Sequence, residues 1–236
     1  MPKPTLDSIL PLQRERALIV GQTASGKSTL GAVLLDGYHE RYPEDSIFII
    51  DLKRRFIAMG DAQGSLFPQG YSARVHGRIA AVAVHARRYN RPVRLWHKRV
   101  YVVQDLRLAL DLFQRLFDRG DYRNPALIFN DESLDLHRNG QVDYRMRRIN
   151  QMGRERGIGQ ITISQRPKRI DQTFITESEK VYVGRLTRKD DRKVMADNVV
   201  MDNSNVLMTP SERYHFTMVD QVDYTKSVVG FKLNLE

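Results

Sequence analysis

Short apolar runs alternate along the chain with segments of helical spacing. The alternation predicts an α/β protein with a mainly parallel central sheet flanked by helices. Arg16–Val20 (RALIV), Ser46–Asp51 (SIFIID), Arg99–Gln104 (RVYVVQ), Ala126–Asp131 (ALIFND), Ile158–Ser164 (IGQITIS) and Lys180–Gly184 (KVYVG) read as strands. Helices are expected from about Lys27 to Leu35, over Asp105–Phe117, and over Gln141–Gly153, where Val142, Met146, Ile149 and Gly153 recur at helical spacing. From Tyr214 onward, YHFTMVD and SVVGFKL add two β-rich runs. No internal repeat, low-complexity tract or linker interrupts the pattern. The expectation is one domain over 1–236, with a core at about 16–185 and a β-rich C-terminal extension at about 186–236. Residues 60–95 hold glycines, arginines and short apolar pieces without a period, and read as loops and an insertion.

Composition narrows the chemistry. The 236 residues are 41% hydrophobic and 28% charged, an ordinary globular mixture. With no cysteine, a disulfide framework, a thiolate zinc site and a cysteine nucleophile are excluded. The six histidines show no ligand spacing. The N-terminus lacks the apolar segment of a signal peptide and no stretch approaches the ~18 apolar residues of a membrane span, so a soluble protein without a transmembrane segment is expected.

Charge changes the picture more. The chain carries +10, a balance that favours anionic partners. From Arg74 to Arg107 there are nine basic residues and one acid, and from Arg138 to Arg169 nine more against Asp143 and Glu155. These two windows hold +15 between them, so the remainder of the chain is net −5. Such windows suit contacts to phosphates without base reading, which supply affinity through counterion release and permit sliding. There is no zinc-finger, helix-turn-helix or RNP cue for sequence-specific recognition. Trp96, among Arg94, His97, Lys98 and Arg99, has two readings: a base-stacking platform or a half-buried strand residue.

The chemistry lies in three strand ends. Gly21-Gln22-Thr23-Ala24-Ser25-Gly26-Lys27-Ser28 matches GxxxxGK[ST] between an apolar strand and a helix. Glycines let the backbone curl so that successive N–H groups face phosphate oxygens, and the helix N-terminus adds its dipole. Lys27 then reaches the β- and γ-phosphates, Ser28 ligates Mg²⁺ and Thr29 is placed for the α-phosphate of ATP. The strand ALIFN ends in Asp131, a Mg²⁺ ligand, and Glu132, placed to orient or deprotonate the attacking water. At least one strand candidate lies in sequence between the two motifs, the arrangement expected of additional-strand, catalytic-glutamate P-loop ATPases of the RecA/FtsK-like type. The strand ITIS ends in Gln165-Arg166-Pro167, where Gln165 can meet the γ-phosphate or the water. Asp51 and Lys53, at the end of the second strand, read either as groups beside the nucleotide or as a strand-end charge pair.

GQTASGKST at 21–29, IIDLK at its strand end, FNDES at 129–133 and GRERGIGQITISQRP at 153–167 together resemble the FtsK/HerA superfamily of DNA-pumping ATPases. Within it they are similar to the genome-packaging ATPases of membrane-containing and related icosahedral viruses. The resemblance spans about residues 16–185. It departs at Asn130, where an apolar residue usually precedes the Asp-Glu pair, and in the 60–100 region. It implies a Mg²⁺-dependent ATPase that translocates double-stranded DNA as a homo-oligomeric ring, a hexamer, packaging a viral genome. Capsid-vertex or membrane proteins are its implied partners, and the host cytoplasm or virion its location. A neighbour would supply an arginine finger in trans. Arg154 falls where the family carries an arginine ahead of the third strand, and Arg156 is the fallback. On a helix through 142–156, Arg147 and Arg154 would be nearly eclipsed on the side away from the apolar positions. The other reading of these arginines is a solvated face or a contact to DNA phosphates. Alternative functions are a HerA- or conjugation-type translocase, a phage-assembly ATPase and, more distantly, a P-loop nucleotide kinase, which needs no equivalent of Glu132.

Overall fold

The structure, a computed structural model, describes residues 5–52, 93–94, 100–138, 141–201, 203–209 and 211–233. Most of the first basic window, Trp96 and Lys53 lie outside these residues. The strands are β1 (Arg16–Val20), β2 (Ser46–Ile50), β3 (Val93–Arg94), β4 (Val100–Val103), β5 (Ala126–Asn130), β6 (His137–Arg138), β7 (Gln141–Val142), β8 (Ile158–Ser164), β9 (Lys180–Val183), β10 (His215–Asp220) and β11 (Val228–Lys232). The α-helices are α1 (Leu6–Ile9), α2 (Lys27–Arg41), α3 (Leu106–Arg119), α4 (Tyr144–Met152), α5 (Thr173–Thr176) and α6 (Lys189–Asn198). No helix among the described residues is long and apolar enough to cross a membrane.

Among the described residues nine strands form one sheet in the order β11-β10-β9-β1-β8-β5-β2-β4-β3. The six from β9 to β4 are parallel, and the antiparallel pairs lie at the two ends. Parallel strands covered on both sides carry near-continuous apolar runs, and β5 and β8 are buried throughout. Successive side chains then feed two cores. Ala17, Ile19, Leu127, Phe129, Ile161 and Ile163 pack with Leu30, Leu34 and Tyr38 of α2, whereas Leu18, Val20 and Ile128 pack with Phe113 of α3, Ile149 of α4 and Met195 of α6.

The strand between β1 and β5 in space is β8, which follows both in sequence. The strands between the two motifs in sequence, β2, β3 and β4, lie beyond β5. The additional-strand architecture is thus present, through the third motif strand rather than through one between the first two.

Several element boundaries differ from the sequence expectation, among them the end of α3 at Arg119 rather than Phe117. Helix α2 runs past Leu35 to Arg41 because α1 packs on it, and a Cβ at Gly37 would come 2.9 Å from Leu10 Cδ2. Helix α4 begins at Tyr144 rather than Gln141, because Gln141 and Val142 pair with β6 and the Asp143 carboxylate accepts the Arg145 amide to cap the helix. It ends at Met152, so Arg154 lies in a separate 3₁₀ turn (Arg154–Arg156) and the helical eclipse of Arg147 with Arg154 does not occur. The segment after 186 contains helix α6 in addition to the expected strands.

Candidate active site

All three motifs open at the C-terminal edge of the parallel strands. Beyond β1 the loop leaves as Gly21, whose N–H donates to the Ser164 carbonyl at the end of β8, and Gln22, whose N–H donates to the Arg185 carbonyl after β9. The loop is therefore clipped to the strand on either side. A Cβ at Gly21 would stand 2.6 Å from Ser25 Oγ, so any side chain here would have to displace the buried Ser25. Ala24 and Gly26 both have left-handed backbone, with φ of 62° and 96°. Gly26 is the turn into α2, with the Tyr214 ring where a side chain would stand.

Lys27 is 6% exposed and its ammonium donates to the Gln22 carbonyl at 2.8 Å, folding across the loop. Ser28, one residue into α2, donates its hydroxyl to Asp131 Oδ1 at 3.3 Å. This bond spans 103 residues of sequence and, across β8, two strand positions of the sheet. Asp131 leaves β5 with its N–H on the Ile50 carbonyl, and the preceding Asn130 is 1% exposed. Glu132, 6% exposed, follows directly, and its Oε1 accepts the Leu134 N–H at 3.5 Å. Thr23 donates to Gln165 Oε1 at 3.0 Å, bringing the β8 end onto the loop. Thr29 and Ser25 are buried at the start of α2 and in the loop. Asp51 is buried at the end of β2, next to the Ile50 carbonyl that holds the Asp131 N–H. The predicted loop, acidic and glutamine residues thus come together from β1, β5 and β8.

The donor set fits a nucleotide triphosphate with Mg²⁺. Ser28 and Asp131 already share a hydrogen bond, so a hydroxyl and a carboxylate converge on one point, as oxygen ligation of a hard cation requires. Lys27 offers a buried ammonium beside a loop held in an N–H-presenting curl.

The arginines do not join this site. Arg154 lies before β8 at the opposite edge of the sheet, where its guanidinium donates to Glu179 Oε1 at 3.4 Å. Seven strand residues separate it from Gln165, a span of about 20 Å. Glu179 is almost fully buried and also receives the Arg16 backbone N–H and guanidinium. Arg156 sits over the Phe117 ring with Arg148. Much of the second basic window is neutralised locally, by Arg145 on Asp143 and Asp111, Arg147 on Asp171, Arg166 on Asp191 and Lys168 on Asp190. Its charge faces neighbouring carboxylates more than the motif spacing implied.

One set of contacts had no motif to announce it. On the β9 side of the loop, Thr187 donates to the Gln22 side-chain carbonyl, Arg213 Nε donates to the Ala24 carbonyl and the Tyr214 N–H donates to the Ser25 carbonyl. The only sequence sign was a basic-aromatic pair just ahead of a β-rich run.

No protein-family model matches the sequence, and neither does any curated protein. Solved structures do share the fold. The genome packaging NTPase B204 from Sulfolobus turreted icosahedral virus 2, in complex with AMPPCP, superposes with a TM-score of 0.65 at 15% identity, covering 95% of this chain and 100% of that one. The pCW3 conjugation coupling protein TcpA gives 0.60 at 15% identity, over 94% of this chain and 61% of that one. The cytoplasmic domain of the Thermomonospora curvata Type VII Secretion ATPase EccC gives 0.59 at 13% identity, over 94% of this chain and 24% of that one. With a P-loop on β1, an acidic pair after β5 and β8 between them, this chain has the fold of the FtsK/HerA-type ATPases.

Proposed function

We propose that this chain is an ATP-hydrolysing motor that translocates double-stranded DNA, packaging a viral genome into a capsid. The observation that carries the reading is the Ser28–Asp131 bond, which brings the acidic strand end to the phosphate loop with Glu132 beside it. A bound Mg²⁺ would neutralise charge on the phosphate oxygens, with Ser28 and Asp131 holding it. Lys27 releases the Gln22 carbonyl and turns its ammonium to the terminal phosphates. Backbone N–H groups at the tip of the loop and the start of α2, other than those of Gln22 and Ser25 that the Arg185 and Gln22 carbonyls take, orient the triphosphate. The Glu132 carboxylate accepts a proton from the attacking water, and Gln165, tied to Thr23, orients the water or the γ-phosphate. Sharing the fold of a genome packaging NTPase over the whole of that chain supports the packaging role. The fold shared with a conjugation coupling protein keeps a conjugation-type translocase as the second reading.

ATP turnover measured with and without long duplex DNA tests the motor. DNA-stimulated phosphate release is expected. Phosphoryl transfer to a nucleotide acceptor would mean a kinase, and no turnover in either condition would mean a nucleotide-gated scaffold.

The ring, with an arginine finger in trans, is part of the same proposal. An arginine about 20 Å from its own loop cannot act in cis, and Arg154 is 58% exposed at that far edge. An Arg154→Ala subunit should bind ATP and fail to turn it over. Mixing it with a Lys27→Ala subunit, which keeps its own Arg154, should restore turnover. Absence of rescue in mixed rings would remove Arg154 from the trans role and leave Arg156 to be tried.

A further inference from the structure

Of the Gln165-Arg166-Pro167 strand end, the reaction described above uses Gln165 alone. Arg166 Nε donates to Asp191 Oδ2 at 2.9 Å, and the Lys168 N–H donates to Asp191 Oδ1 at 3.2 Å. One carboxylate thus grips the turn after β8 at two points, on either side of the buried Pro167. Asp191 is 2% exposed and stands in the first turn of α6, 25 residues further along the chain. A buried carboxylate is costly unless its charge is met and its oxygens accept hydrogen bonds, so the turn and the helix are held to one arrangement. The neighbouring pair, Lys168 Nζ to Asp190 Oδ2 at 2.7 Å, is exposed on both sides, and such pairs contribute little.

Gln165 sits between two fixed residues. The Ser164 carbonyl accepts the Gly21 N–H, and the Arg166 N–H donates to Ser164 Oγ at 3.3 Å. From that backbone the Gln165 side chain reaches the loop, where its Oε1 accepts the Thr23 hydroxyl at 3.0 Å. The next residue of α6 serves the other flank. Arg192 Nη1 donates to the Leu186 and Thr187 carbonyls at 2.9 and 2.7 Å, and the Thr187 hydroxyl donates to Gln22 Oε1 at 2.6 Å. Two consecutive side chains at the start of α6 therefore hold the turns after β8 and β9, and each turn holds one residue of the phosphate loop.

We propose that Asp191 is a positioning residue for ATP hydrolysis: through Arg166 it fixes the turn after β8, and so sets where Gln165 meets the terminal phosphate or the attacking water. The inference rests on the nucleotide-binding reading above and on the role given there to Gln165. Asp191 acts at one remove, by allowing the Gln165 backbone a single placement. A shift of about 1 Å in a positioning group can cost on the order of a hundredfold in rate. Hydrolysis then depends on a helix that no motif marks.

The test measures single-turnover phosphate release and calorimetric ATP affinity on the full chain and its variants. These are Asp191→Asn and Arg166→Lys, each alone and combined with Gln165→Ala, together with Gln165→Ala, Asp190→Asn and Lys27→Ala. Asparagine keeps the size of Asp191 but turns an NH₂ group toward one of the two N–H donors. Lysine keeps the charge that the buried carboxylate requires and lacks the Nε donor. Arg166 is 24% exposed, so its variant should fold even where Asp191→Asn does not. Each should slow release on the order of tenfold to a hundredfold and leave ATP affinity within about threefold. Neither should cost anything further in the Gln165→Ala background, because residues acting through one another are non-additive. Asp190→Asn should match wild type. A wild-type rate in Asp191→Asn or Arg166→Lys, an equal loss with and without Gln165, an affinity loss as large as the rate loss, or the same loss in Asp190→Asn would each overturn the proposal while the nucleotide site stood. A role in folding alone would give the same loss in both backgrounds. A wild-type rate in Gln165→Ala would remove the role of Gln165, and this inference with it. Wild-type ATP binding by Lys27→Ala would instead bring down the nucleotide reading itself.

Discussion

Lys27→Ala is expected to abolish nucleotide binding. Lys27 is 6% exposed and its ammonium donates to the Gln22 carbonyl within the same loop, so a bound triphosphate draws it from that carbonyl by a short turn of the side chain. Charge-assisted hydrogen bonds contribute roughly 1.5–3 kcal/mol each. Losing two from the terminal phosphates weakens binding by a factor on the order of 10² to 10⁴. A thermal melt reads this cleanly. At a ligand concentration 100 times its Kd, wild-type protein gains about 2.7 kcal/mol, and the variant should show no shift at the same concentration. A ligand-dependent shift of wild-type size in the variant would place the nucleotide elsewhere.

Glu132→Gln should do the opposite, keeping the nucleotide and losing the reaction. Glutamine matches the buried glutamate in size, and its carbonyl can still accept the Leu134 N–H. Neither the Ser28–Asp131 bond nor the Lys27 position depends on it. What disappears is a proton acceptor beside the attacking water, worth about 10² to 10⁴ in rate. Single-turnover phosphate release should fall by that factor, while affinity for ATP stays within a few-fold. Normal hydrolysis by the variant would take the base role away from Glu132.

The two variants probe parts of the site that differed in legibility. GxxxxGK[ST] carries its own geometry, because left-handed backbone at Gly26 and a glycine at 21 are local requirements written in residue type. The strands around it were equally plain. Both faces of β1, β5 and β8 are covered, so each is buried almost throughout, and their ends fall within a residue or two of the expectation. Helix ends were less plain. The helix expected to end near Leu35 continues for nearly two more turns to Arg41, with Leu10 and Leu6 packed against Gly37. Val142 kept helical spacing with Met146, but it and Gln141 pair with β6, and the Asp143 cap starts the helix at Tyr144 rather than at Gln141. Tertiary contacts outweigh spacing at such positions.

Residue type alone was enough to specify the phosphate loop, the acidic strand end and the class of fold, since each rests on local backbone freedom or on burial that a short run of side chains encodes. The order of the sheet, with β8 rather than β2 or β4 between β1 and β5, came only from folding, because the neighbours of a strand are chosen by long-range packing. The placement of Arg154 at the far edge, held by a buried Glu179, came from the same source. So did the grip of Arg213 and Tyr214 on a loop nearly two hundred residues earlier, since a hydrogen bond across that separation leaves no periodicity in the chain.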